Sequence, residues 1–340
     1  MKIFLAIVLV VTVAACKNDR RETNRAVYYW KQSFSLTAPE QQKLAGLGVE
    51  TFYVKYFDIA WNSQQQRALP VAKIRFKDTA YLRIKNLIPT VFITNEVFYQ
   101  LDSSQIKMLA QNTVSLLKKY LALYAFDKVP ELQMDCDWTA TTKNKYFYFL
   151  NELKKRPIAK TLSATIRLHQ LKYTVSSGIP PVDKGLLMCY NMGNLQNVQA
   201  KNSIIDYQEF KKYEAYIASY PLPLDVGLPI FEWFVLFRND KYAGLFQNIP
   251  AGFLEKCKKQ GRHLFEVTKD SVLSGRLLKA GDLLRYEPSE AAAVKKIATS
   301  LSQRLGAGKL NVVLYHCDSI TLSKYTADDL EDIYSRLRHY

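Results

Sequence analysis

Several kinds of chemistry are missing from this chain. No strand-like run is followed by GxGxxG or GKS/T, so the usual turn that cradles a nucleotide's phosphates is absent and no cofactor is expected. The four histidines form no i, i+4 pair and no HExxH motif, and the cysteines show no CxxC spacing, so no metal site is expected either. Lys+Arg outnumber Asp+Glu by 47 to 31, a net charge of +16, yet no block of five like charges occurs. Basic residues scattered in this way argue against nucleic acid. They suit anionic lipid, acidic glycans or simply a basic surface. The apolar run from Ile3 to Ala15 is too short to span a bilayer but right for the core of a signal peptide.

That run closes with Val13-Ala14-Ala15-Cys16. Small residues directly before a cysteine resemble the bacterial lipobox, in which the cysteine is lipidated and becomes the mature N-terminus. The resemblance implies a signal peptide over 1–15, lipidation at Cys16 and a bacterial cell-envelope location, on the outer membrane or facing the periplasm. Residues 17–25 (KNDRRETNR) are polar throughout and read as a tether. About 315 residues remain, enough for one large domain over 26–340, expected as a monomer.

Eight apolar, β-rich segments recur along that domain: RAVYYWKQSF, VETFYVKYFDIAW, LIPTVFIT, ELQMDCDW, TLSATIRLHQL, GLLMCYNMG, LDVGLPIFEWFVLF and LNVVLYHCDSI. Helical patterns are expected over Ser104–Ala125, Thr142–Lys155, Asp206–Ser219, Glu290–Leu305 and Ala327–Leu337. Near-continuous apolar strands alternating with amphipathic helices predict parallel strands under helices, and eight units predict a (β/α)8 TIM barrel. An insertion of about fifty residues, roughly 238–288, follows strand seven and should fold over the mouth as a lid or wall, or as a surface elaboration. Cys136, Cys189, Cys257 and Cys317 are expected as free thiols, mostly buried.

Barrel chemistry forms where strands end. The expected ends carry Trp30, Asp58, Trp61, Glu96, Asp135, Asp137, Arg167, His169, Tyr190, Asn191, Glu232, Trp233, His316 and Asp318. The opposite ends carry Val27, Val49, Ile88, Leu132, Leu162, Leu186, Val226 and Val312. Asp135 and Asp137, two apart on a strand, project to one face, where like charges repel unless a donor, cation or shared proton intervenes. Arg167 could neutralise them, and His169 one pleat away shares its face. Trp30, Trp61 and Trp233 suit either a core or a platform for the apolar face of a sugar ring.

DCDWT after strand four, MCYNMG at strand six and VGLPIFEW at strand seven resemble the chitinase-like (β/α)8 glycosidase superfamily. The stretch PPVDKGLLMCYNMG is nearer still to an uncharacterised bacterial family of exported glycosidase-like barrels. In the superfamily the fourth strand carries D-x-x-D-x-D-x-E and the sixth M-x-Y-D/N. The resemblance puts Asp135 and Asp137 at the last two Asp positions, and Met188, Tyr190 and Asn191 on the sixth-strand motif, where tyrosine and acid or amide hold an N-acetyl group. The departure is that Thr139 stands where the general-acid glutamate belongs and Leu132 where the first Asp belongs. A hydroxyl cannot protonate a leaving glycosidic oxygen at neutral pH.

Two functions follow. One is an envelope glycoside hydrolase with Asp135, Asp137 and Glu232 as catalytic carboxyls and Trp30, Arg167, His169, Tyr190, Asn191 and Trp233 binding a carbohydrate. The other is a glycan-binding lipoprotein that uses the same mouth without cleavage.

Overall fold

The computed structural model describes residues 20–126 and 129–339, so the expectations for the signal peptide and Cys16 lie outside the described residues. Eight parallel strands close into a barrel: β1 (Thr23–Tyr29), β2 (Thr51–Asn62), β3 (Asn86–Ile93), β4 (Glu131–Asp135), β5 (Thr161–Arg167), β6 (Lys184–Met188), β7 (Leu224–Pro229) and β8 (Leu310–Tyr315). Neighbours in sequence are neighbours in the sheet, and β1 pairs with both β2 and β8 to seal it. The (β/α)8 barrel expected from the alternating pattern is the fold.

The strands are apolar because both of their faces are covered. Leu132, Leu162, Val226 and Val312 point outward into a core shared with the helices, whereas Ile88 and Leu186 join Ala26, Tyr28, Tyr53 and Val313 inside the barrel. Helix Ser103–Leu123 shows how the outer layer is specified. Asp102 caps it in a reciprocal pair with Gln105, and Ile106, Leu109, Ala110, Thr113, Val114, Leu117 and Leu121 form its buried stripe. Each buried leucine there contributes about 2 kcal/mol. Helices Lys143–Lys154, Ala291–Ser302 and Ala327–Arg336 match their sequence patterns closely. The segment expected as a helix from Asp206 to Ser219 is instead one turn, Tyr207–Lys211, and a short 3-10 turn, Glu214–Tyr216.

The interior below the mouth differs from the apolar floor expected. Lys184 places its Nζ 2.6 Å from both Glu131 and Asp225. Tyr53 Oη and Asn311 Nδ2 also donate to Asp225, at 3.2 and 3.0 Å, and Ser163 donates to Glu131 at 2.5 Å. Burial pushes the Glu131 carboxyl above its ordinary range. Burial also opposes the Lys184 charge, but the two carboxylates flanking the ammonium hold its pKa above the usual value. The floor is therefore a compensated polar plug.

Strand seven is shorter than its apolar run. LDVGLPIFEWFVLF breaks at Pro229, whose ring offers no N–H to continue the ladder, and Glu232–Arg238 begins a second sheet. That sheet is antiparallel and five-stranded, pairing Glu232–Arg238 with Lys241–Phe246 on one side and Leu283–Pro288 on the other. Asn239 and Asp240, both at positive φ, make its first hairpin turn. Phe234, Leu236, Phe246, Val267, Leu273, Leu278 and Leu284 form a small core of its own. The insertion thus starts six residues earlier than the sequence suggested, and Glu232 and Trp233 belong to it rather than to the barrel.

Candidate functional site

β4 ends at Asp135, and Asp137 lies two residues beyond on the adjoining loop. Both carboxylates face β5, in the same alternation that places Thr165 and Arg167 there. Thr165 Oγ1 donates to Asp135 Oδ1 at 2.6 Å. Arg167 grips Asp137 with two bonds, Nε to Oδ1 at 2.6 Å and Nη2 to Oδ2 at 2.9 Å. The paired acids therefore have unlike environments. Asp135 is 5% exposed, and burial followed by the Asp137 charge pushes its pKa up to about 6. Asp137 is half exposed and neutralised by a planar fork that leaves neither oxygen free of a donor. Burial works against the Arg167 charge, yet the Asp137 contact raises its pKa above the ordinary value.

Thr139, at the position where the resembling family has its acid, is held by hydroxyl groups. Its Oγ1 is 2.8 Å from Thr141 Oγ1, 3.3 Å from Thr142 Oγ1 and 3.2 Å from Tyr99 Oη. Thr142 in turn donates to Asn95 Oδ1 at 2.5 Å. This cluster ties the loop after β4 to the helix after β3.

Aromatic rings run across the mouth from β1 to the insertion. Trp30 meets Phe92 at 6.1 Å and Tyr315 at 5.9 Å between centroids. Tyr315 stacks on Tyr190 at 4.9 Å and meets Phe231 edge-on at 5.4 Å, and Phe231 meets Trp233 at 5.4 Å. Trp30 and Trp233 at the two ends are only partly buried. Lys55 Nζ lies 4.8 Å from the centre of the Trp30 ring and pairs with Asp58 at 2.8 Å. A regular strand would put residues 55 and 58 on opposite faces. The register shift in β2 between Lys55 and Phe57 brings them together.

The remaining expected residues fall in different places. Tyr190 is buried, and its hydroxyl has no hydrogen-bond partner among the described residues. Asn191 follows it at φ +53° with an exposed side chain. β5 stops at Arg167, so His169 is not one pleat further along. It occupies an exposed turn of helix Leu168–Lys172. Glu232 accepts from Tyr286 Oη at 2.6 Å and pairs with Lys324. Trp233 donates from Nε1 to the buried Glu287 at 2.6 Å. Trp61 packs against the outer core. Asp318 caps the short helix after β8 and pairs with Lys31 at 3.2 Å and His316 at 3.5 Å. Among the described residues no group of three or more His, Cys, Asp or Glu is placed to hold a metal ion. Phe92, Thr165 and Tyr315 were missed, although the two-residue alternation along β3, β5 and β8 points each of them inward.

No protein-family model and no curated protein sequence matches the chain. Solved structures do. The spore cortex-lytic enzyme SleL of Bacillus cereus superposes with a TM-score of 0.54 at 12% identity, covering 93% of this chain and 75% of that one. A glycoside hydrolase family 18 N-acetylglucosaminidase from Paenibacillus barengoltzii gives 0.50 at 11% identity, covering 92% and 99%. The chitinase-like agglutinin of Robinia pseudoacacia gives 0.51 at 12% identity, covering 91% and 99%. At these identities the likeness is one of fold alone: this chain, like those three proteins, is a (β/α)8 barrel.

Proposed function

We propose that the barrel mouth binds a carbohydrate without cleaving it, in a lipoprotein held to the bacterial cell envelope through Cys16. The observation that carries the reading is the aromatic row from Trp30 to Trp233, partly exposed at both ends and flanked by the Asp137–Arg167 pair. Pyranose rings offer apolar C–H faces to such rings and hydroxyl groups to such a polar edge. The lack of cleavage rests on Thr139 and on Asp137, whose oxygens are both engaged by Arg167. The fold is compatible with either outcome, since an N-acetylglucosaminidase and an agglutinin share it.

Titration of the wild type with oligosaccharides of N-acetylglucosamine tests the binding, and Trp30→Ala should weaken it by roughly fivefold, the loss of about 1 kcal/mol of stacking. Equal affinity in the variant would remove Trp30 from the site. Trp233→Phe is the safer second substitution, because it keeps an aromatic ring beside Phe231.

Hydrolysis stays as a second reading on one observation. Asp135, with a pKa near 6 beside a charged Asp137, is a carboxyl able to give up a proton near neutral pH. Release of reducing ends by the wild type, abolished by Asp135→Asn or Asp137→Asn, would favour it over binding alone. Loss in Glu232→Gln with both aspartate variants active would move the acid to the insertion. The anchor has its own test. Cys16→Ala should abolish membrane association and change the processed size, and full retention in the membrane fraction would refute lipidation.

A further inference from the structure

We infer that the face of the barrel at the N-terminal ends of its strands lies against an anionic lipid bilayer, with the mouth turned away from it. The inference rests on the proposed lipidation of Cys16 and adds the surface that the anchored protein presents to the membrane.

The described chain enters the fold on that face. Arg20 makes an antiparallel bridge with His339. Arg21 donates to the carbonyls of Gly306, Ser302, Leu305 and Leu337 at 2.6, 3.2, 2.6 and 2.9 Å, fixing the first residues under the barrel. Cys16 is four residues from Arg20 in sequence, and four fully extended residues reach at most about 14 Å. A lipid on Cys16 therefore keeps this end of the barrel close to the headgroups. It cannot bring the mouth, at the opposite end of the strands, to the same surface.

The charge on this face fits that neighbour. It is built from the loops that precede the strands and from the last turns of the helices. The acids on it, among the described residues, are matched: Glu22 with Lys309 at 2.7 Å, Glu50 with Lys85 at 2.6 Å and Asp183 with Lys154 at 3.2 Å. Arg20, Arg83, Lys118, Lys119, Lys160 and Arg338 are exposed and enter no ion pair with the described residues. Two large apolar side chains stand among these cations. Ile84, two residues before β3 begins, is 75% exposed, and Leu123, at the end of helix Ser103–Leu123, is 68% exposed. Unmatched cations with isolated apolar side chains between them suit the headgroup region of an anionic leaflet, where each basic residue near the surface adds to binding.

The barrel closes within residues 20–339, so a chain beginning at Lys17 retains the fold and tests the face without its anchor. Sedimentation with vesicles should show binding to phosphatidylglycerol-rich bilayers and none to phosphatidylcholine alone, with binding lost in high salt. Lys118→Gln/Lys119→Gln/Lys160→Gln should reduce partitioning by roughly 10²-fold. The control Lys241→Gln/Lys258→Gln/Lys269→Gln, on the insertion, should leave it nearly unchanged. No affinity for anionic vesicles, or equal losses from both triple variants, would overturn the inference. Failure of lipidation is read separately, because the Cys16→Ala fractionation result does not depend on this assay.

Discussion

Glu287→Ala is expected to lower the stability of the chain by about 3–5 kcal/mol, read as a fall in the urea midpoint with an unchanged slope. Glu287 is fully buried, and three groups converge on it. Arg285 Nε donates to Oε1 at 2.6 Å, while Ser203 Oγ and Trp233 Nε1 donate to Oε2 at 2.5 and 2.6 Å. Arg285, itself 4% exposed, continues through Nη1 to the carbonyls of Asn197 and Val198 at 2.5 and 3.1 Å. Removing the carboxylate leaves a buried guanidinium uncompensated and two donors unpaired. The isosteric Glu287→Gln should rescue only part of the loss. Whichever way its amide is turned, the NH2 faces either Arg285 or the Ser203 and Trp233 donors. The network also joins the insertion to the loop after β6 and fixes the Trp233 ring. Glu287→Gln should therefore weaken carbohydrate binding even under conditions where the protein is fully folded. If its affinity matches the wild type there, Trp233 takes its orientation from Phe231 rather than from Glu287.

None of that network could be read from the sequence, and the reason is physical. Glu287 and Arg285 are ordinary polar residues at the end of an exposed-looking insertion, and their value comes from Ser203 and the 195–198 carbonyls, nearly ninety residues away. The same holds for the polar plug. Glu131, Lys184 and Asp225 each stand at the start of an apolar run and look like solvated strand ends until the barrel closes around them. What could be read was whatever repeats locally: eight apolar strands, the helix stripes and the placement of Asp135 and Asp137 at a strand's end. Boundaries failed where one residue interrupts an otherwise uniform pattern. Pro229 splits a fourteen-residue apolar segment between two sheets, and this moved Glu232 and Trp233 off the barrel. Arg167 ends β5, and this put His169 on the helical turn that follows rather than one pleat further along the strand.

Asp135→Asn is expected to stabilise the protein at pH 7.5 by an amount on the order of 2 kcal/mol, and to leave stability nearly unchanged at pH 4. In the folded chain the Asp135 carboxyl is pushed up to about 6 by burial and by Asp137, above the value of about 3.9 for a free side chain. A raised acid favours folding only while it is protonated. Its contribution is complete below about pH 4 and is lost as the pH rises through about 6. Asparagine never ionises and can still accept the bond from Thr165, so the variant escapes that loss. Melting curves at the two pH values decide the matter. A gain equal at both would mean that the ionised Asp135 is not the source of the strain, and a loss at pH 7.5 would mean that Arg167 compensates both carboxylates. A buried acid that destabilises its own fold at neutral pH, in a mouth otherwise lined by aromatic rings, is the kind of cost retained at a working site. Binding and turnover in the same variant then separate the two functions. A stabilised protein that keeps its carbohydrate affinity assigns Asp135 to the geometry of the Asp137–Arg167 edge. A stabilised protein that has lost a measurable turnover assigns it the proton.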